Sequence, residues 1–191
     1  MNSLQQSERY RHLNNYLKNK FGERTLKICI DGNFTCPNRD GTKGTSGCIF
    51  CSERGSGEHI SCNHIPSSTE SIKSQVLNYF SSYKANRANK FIAYFQNFTN
   101  TYDTIPNLKT KYDSALIDNR IVGLSIATRP DCINEDIAKL IRSYSNNYYV
   151  CVELGLQTSN DDTGKLQLTG NYRGGTVRGL DLSLGGAAQY R

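Results

Sequence analysis

Four short apolar runs, separated by segments with helical spacing, constrain this chain more than any other feature. They are residues 25–30 (TLKICI), 90–95 (KFIAYF), 121–127 (IVGLSIA) and 148–156 (YYVCVELGL). Between them, Ile72, Val76, Leu77 and Phe80 recur at three- and four-residue steps, as one face of a helix does. Ile137, Leu140 and Ile141 do the same, and residues 105–118 suit a third helix with Pro106 near its start. Leu4, Tyr10, Leu13, Tyr16 and Leu17 predict a further helix over 4–20, with Gly22 as its stop. Ser67 and Glu70 have capping-box spacing, and Asn134 can cap the last helix. This alternation predicts an α/β fold of about four parallel strands joined by crossover helices. Unbroken apolar strands predict burial on both faces, with Cys29 and Cys151 as small core residues.

In a parallel sheet the loops after the strands open on one edge, and chemistry gathers there. The unusual polar segments of this chain all follow strands: 36–63, Gln96–Thr101, Thr128–Asp131 and Gln157–Asn160. The first is longer than a plain connection needs and holds four of the seven Cys. An odd Cys count, with a polar N-terminus in place of a secretory signal, argues against a disulfide framework and for a cytoplasmic protein. No apolar run approaches the roughly 18 residues of a membrane span, so no membrane partner is expected. The net charge of +6 suits an anionic partner such as RNA, a nucleotide or a phosphorylated substrate. The basic residues form no long run, however, so a solvated surface explains the charge equally well. The twelve Tyr could stack on bases or simply edge the core.

Cys36, Cys48 and Cys51 have the spacing C-x11-C-x2-C. Three thiolates can hold three irons of a 4Fe–4S cluster and leave the fourth iron open to a small molecule. Gly41, Gly44 and Gly47 would let the backbone wrap the cluster, and Phe50 could shield it. The rival is a structural zinc, with Cys62, His59 or His64 as fourth ligand, stabilising a nucleic-acid-binding module. Zinc sites usually combine two close Cys pairs, and this chain has one C-x2-C.

The blocks Asp31–Gly41, Cys48–Cys51, Tyr94–Gln96, Thr99–Tyr102, Thr128–Asp131 and Glu153–Gln157, in this order, resemble the radical S-adenosylmethionine (SAM) superfamily. More narrowly, they resemble a bacterial group related to the elongator-type catalytic subunit. The resemblance covers roughly residues 10–162 and implies a partial (β/α) barrel over 1–162, incomplete because six strands would be expected. It implies a 4Fe–4S cluster on Cys36, Cys48 and Cys51, with SAM on the open iron. An electron from a donor protein would cleave SAM to methionine and a 5′-deoxyadenosyl radical, which takes hydrogen from the substrate. The same relationship suggests tRNA or another RNA as substrate. Gln96, Asn100, Arg129 and Gln157 are then expected to line the SAM pocket, beside Phe50.

Each residue also has a plainer reading. Gln96–Thr101 could cap the next helix, Arg129 could form an ion pair, and Cys132 could be structural. Glu153, a carboxylate inside an apolar strand, needs a partner: it could hold an Arg or Lys in the core or reach toward the cofactor. Residues 163–191 hold seven of the sixteen Gly and sustain no pattern. They are expected to be a poorly ordered, divergent tail, the product of a truncation or frameshift that leaves a catalytically impaired fragment.

Overall fold

The computed structural model describes residues 12–55 and 69–155. The start of the first helix, the Ser67 cap, Cys62, His59, His64, Gln157 and the 163–191 tail lie outside those residues. Strands β1 (Thr25–Ile30), β2 (Lys90–Phe95), β3 (Ile121–Thr128) and β4 (Tyr149–Leu154) form one sheet in the order β1-β2-β3-β4. All three pairings are parallel. Helix α1 (Leu13–Phe21) precedes the sheet, and α2 (Thr69–Ser81), α3 (Ile105–Ala115) and α4 (Glu135–Tyr144) are the crossovers. The α/β architecture expected from the apolar alternation is present.

The boundaries follow local chemistry. Asn134 Oδ1 accepts the Ile137 N–H at 2.9 Å and starts α4 as its sequence position predicts. Helix α3 stops at Ala115, short of the expected residue 118. There the Leu116 N–H turns back to the Asp113 carbonyl, and Asp118 Oδ1 takes the Arg120 N–H at 2.9 Å. A 3₁₀ turn over Tyr83–Arg87, which no periodicity announced, carries the chain from α2 to β2.

The strand order explains where the core lies. Successive crossovers of one hand, stepping in one direction, place the three crossover helices on the same face. That face carries Ile28, Ile30, Phe91, Ala93, Phe95, Leu124 and Ile126, sealed by Ile72 and Val76 of α2, Leu108 and Tyr112 of α3, and Ile137 and Ile141 of α4. Edge-to-face ring contacts run through it, with Phe95 to Tyr112 centroids 5.3 Å apart and Tyr112 to Tyr144 6.0 Å.

The other face corrects the expectation of two apolar faces. It presents Lys27, Cys29, Tyr94, Ser125, Cys151 and Glu153, and neither Cys is a core residue: both are half-exposed. Among the described residues only α1 covers its amino end, where Tyr16 and Phe21 meet the Tyr149 ring at 6.2 and 6.0 Å. Lys27 of β1 forms an ion pair with Glu153 of β4, so the two outermost strands meet through their side chains. A flat sheet would hold those strands about 14 Å apart, three spacings of about 4.8 Å. The sheet therefore curls toward this face. Tyr94 donates to Glu153 Oε2 at 2.8 Å and Ser125 to Oε1 at 3.2 Å, so one carboxylate ties together all four strands. Burial opposes ionisation of Glu153, but Lys27 and these hydroxyls hold its carboxyl below the usual range. The Lys partner expected for Glu153 is thus Lys27.

Candidate functional site

All four strands point the same way, so their following loops share one edge. The cysteine loop leaves β1 and is anchored at once: Phe34 is buried and meets Phe95 of β2 edge-on, with centroids 6.2 Å apart. Beyond it the chain closes on itself. The Cys36 carbonyl accepts the Arg39 N–H at 2.8 Å, the Asn38 carbonyl accepts the Gly47 N–H at 2.8 Å, and the Cys48 carbonyl accepts the Cys51 N–H at 2.9 Å. Gly41 and Gly47 have φ of 91° and 75°, the left-handed backbone that a tight wrap requires.

Cys36, Cys48 and Cys51 are all free and half-exposed. The buried Asn38 amide donates to the Cys48 sulfur at 3.1 Å. Cys48 is held above the usual thiol range chiefly by burial; the Asn38 hydrogen bond pulls it down and the nearby Cys36 and Cys51 push it up. The charges of Cys36 and Cys51 are thus felt at the Cys48 sulfur. Among the described residues no three His, Cys, Asp or Glu side chains gather as ligands around a single ion. Phe50 and Ile49 of this loop are 49% and 73% exposed, leaving an apolar pair at its rim.

The turn after β2 docks directly on this loop. Thr99 N–H donates to the Thr35 carbonyl at 3.2 Å and Phe98 N–H to the Gly55 carbonyl at 3.1 Å. Gly55 must be glycine, because a Cβ there would lie 2.6 Å from the Phe98 ring. Phe98 itself has φ 58°, a left-handed conformation that costs an aromatic residue about 1–3 kcal/mol. The Arg39 guanidinium lies 5.6 Å from the same ring and also reaches the Cys51 carbonyl at 3.2 Å.

Asn100 is fully buried: its Nδ2 donates to the Ala127 carbonyl at 2.7 Å, and its own carbonyl accepts the Tyr112 hydroxyl at 2.6 Å. Its Oδ1, and the Oδ1 of buried Asn97, have no hydrogen-bond partner among the described residues. Gln96 is half-buried at the head of this turn. Thr101 meets Thr128 at 2.6 Å and donates to the Cys132 carbonyl, joining the turns after β2 and β3.

After β3, both forks of Arg129 are taken by Asp131, at 2.9 and 2.8 Å. Asp131 also pairs with Lys43 of the cysteine loop. Burial alone would raise the Asp131 carboxyl, yet the hydrogen bonds from Arg129 and Lys43 hold it at about 2. The ion-pair reading of Arg129 is therefore the arrangement found. Cys132 is pushed up to about 12 by burial and by Asp131, so it stays a thiol, as a structural Cys would.

Of the pocket residues expected from the sequence, the structure brings Gln96, Asn100 and Arg129 to the same edge as Cys36, Cys48, Cys51 and Phe50. Asn38, Asn97 and Lys43 were missed. Asn38 and Asn97 sit within segments singled out as motifs, but only the fold shows that one donates to sulfur and that the other's Oδ1 has no donor among the described residues. No signal could have exposed Lys43, whose partner is 88 residues away.

No family model matches this chain. It is similar to YtqA of Bacillus subtilis, 39% identical over 161 residues, which are 83% of this chain and 48% of YtqA. It is also similar to YhcC of Escherichia coli K12, 36% identical over 148 residues, or 77% of this chain and 45% of YhcC. A protein of Methanocaldococcus jannaschii is 34% identical over 149 residues, 78% of this chain and 44% of that protein. The chain spans a little under half the length of these curated relatives. Among the described residues no helix is long and apolar enough to cross a membrane.

Proposed function

We propose that this chain carries the cluster- and SAM-binding part of a radical SAM enzyme, with Cys36, Cys48 and Cys51 as ligands of a 4Fe–4S cluster. The reading rests above all on one observation: a three-thiol loop follows β1 at the edge where the turns after β2 and β3 clasp it. The donor set suits such a cluster. Its thiols are free and partly exposed, and one sulfur already accepts an amide hydrogen bond of the kind that tunes cluster ligands. A bound cluster would supply one-electron reduction of SAM, drawing on a donor protein and yielding methionine and a 5′-deoxyadenosyl radical.

The residues of the chain bind and orient. Asn38 fixes the Cys48 sulfur, and Arg39 closes the loop on its own carbonyls. Lys43 and Asp131 clamp the loop to the end of β3, and Arg129 braces Asp131 at the edge where SAM would lie. The unpartnered Oδ1 atoms of Asn97 and Asn100 are acceptors awaiting a donor. Leaving one such buried group unmatched costs about 1–3 kcal/mol, which the SAM amino group would relieve. Phe50 and Ile49 give the rim an apolar cover against water.

Anaerobic reconstitution with iron and sulfide tests the reading. The expected result is a brown protein that, given SAM and a reductant, forms 5′-deoxyadenosine. A colourless protein that retains zinc, or iron content indifferent to Cys36→Ala and Cys48→Ala, overturns it.

A further inference from the structure

The net charge of +6 is not evenly spread. Residues 71–102 hold four cations, Lys73, Lys84, Arg87 and Lys90, and no carboxylate, whereas residues 103–142 hold six of each. The fold converts this imbalance into a surface. Pairing of Thr25 with Lys90 sets Arg24 beside the 3₁₀ turn Tyr83–Arg87, at the amino edge of β1 and β2. The charges of Arg24 and Arg87 are both felt at the Tyr79 hydroxyl.

Within the turn, Ala85 is the buried anchor, while Tyr83, Lys84, Asn86 and Arg87 are exposed. In a 3₁₀ helix side chains at i and i+3 eclipse. Lys84 therefore lies in line with Arg87, and Tyr83 with Asn86. Arg24, Lys84 and Arg87 form no ion pair among the described residues. The nearby carboxylate, Glu23, is already engaged by Lys90 at 3.5 Å and Asn89 at 2.9 Å. Tyr83 is 74% exposed, a large aromatic ring that packs against no other ring among the described residues, beside cations with no ion pair among them.

We propose that Arg24 and the Tyr83–Arg87 turn bind a single-stranded nucleic acid, the cations holding phosphates and Tyr83 stacking on a base. An acidic protein or membrane would satisfy the cations. Neither accounts for an aromatic ring presented beside two aligned cations, which suits a phosphate–base repeat. The turn leads into the amino end of β2, whereas the cysteine loop leaves the carboxyl end of β1, the opposite edge of the sheet. The site would thus anchor a strand and leave the chemistry elsewhere. The inference stands on charge and exposure alone and does not depend on the cluster.

Fluorescence anisotropy with labelled single-stranded RNA and DNA oligonucleotides, titrated with the full chain from low to high salt, tests it. Binding should weaken linearly in log–log form with salt. Lys84→Ala with Arg87→Ala should lower that slope by about 1.4, two contacts at about 0.7 each. Tyr83→Ala should weaken binding about five-fold or more. Lys109→Ala with Lys139→Ala, from the neutral region, should leave it unchanged. Binding that survives Cys36→Ala separates this site from the cluster. The proposal is overturned by absence of oligonucleotide binding at low salt, by an equal effect of the Lys109/Lys139 pair, by no effect of Tyr83→Ala, or by capture on anionic vesicles without oligonucleotide binding.

Discussion

The carboxyl edge and the amino edge of the same sheet handle charge in opposite ways. At the carboxyl edge and along the neighbouring α3 and α4, cations are matched: Arg129 and Lys43 with Asp131, Lys111 with Asp103, Lys109 with Asp113, Lys139 with Glu135. At the amino edge Arg24, Lys84 and Arg87 face water. What remains open at the carboxyl edge is of another kind, three thiols and two orphaned amide oxygens. The difference teaches that net charge is a poor guide to where a polyanion binds. Both edges are rich in Lys and Arg, but at one of them the charge is spent on holding loops together.

Four measurements can break or sharpen this contrast. The largest expected effect is on metal. Replacing Cys36, Cys48 or Cys51 by Ala should abolish the iron chromophore after reconstitution, while Cys29→Ala and Cys151→Ala, on the curled face, should keep it. Iron content read beside absorbance decides the matter, and a chromophore that follows Cys29 would move the site off the loop.

Next comes the carboxylate that ties the strands. Glu153→Ala strands Lys27 and removes the acceptor of Tyr94 and Ser125. Fully buried pairs cost about 3–5 kcal/mol when one partner is removed, so this partly exposed pair should cost about 2–3 kcal/mol in urea unfolding. A change under about 0.5 kcal/mol would mean that the curl of the sheet does not depend on it.

The clamp on the cysteine loop should show in acid. Asp131 has a folded value of about 2 against an ordinary value of about 4. Its contribution is therefore fully present above about pH 4 and is lost as pH falls toward 2. That gap corresponds to about 2.7 kcal/mol at most. Asp131→Asn should flatten that part of the stability–pH curve, and an unchanged curve would assign the acid sensitivity to other carboxylates.

The smallest effect belongs to the neutral surface. Lys139 bridges Glu135 one turn away at 2.9 Å. Lys139→Ala should change stability by no more than about 0.5 kcal/mol, an effect that added salt erases.

How much of this was legible beforehand differs by element. β1 and β2 follow from their apolar runs to the residue, because half or more of each run is buried and tolerates no other pattern. The Asn134 cap and the Pro106 start of α3 were equally readable, since Asn134 satisfies a backbone N–H three residues on and Pro106 suits a first turn, where no N–H is needed. The Tyr83–Arg87 turn was not, because five residues are too few to display a period. Cys29 and Cys151 misled, because a continuous apolar run looks alike whether one face or both are covered.

The sequence by itself determined the strand–helix order, the parallel sheet and the place of the three-cysteine loop. These depend on local propensity and on burial patterns that repeat within a few residues. Only the tertiary structure decided that Lys27 meets Glu153 across 126 positions, that Lys43 meets Asp131, and that the amide oxygens of Asn97 and Asn100 are left without donors. The same holds for Arg24 beside the Tyr83–Arg87 turn. Each of these depends on which strands lie side by side and how the sheet curls. A charge or an amide carries no mark, in one dimension, of the partner that three-dimensional packing will bring to it.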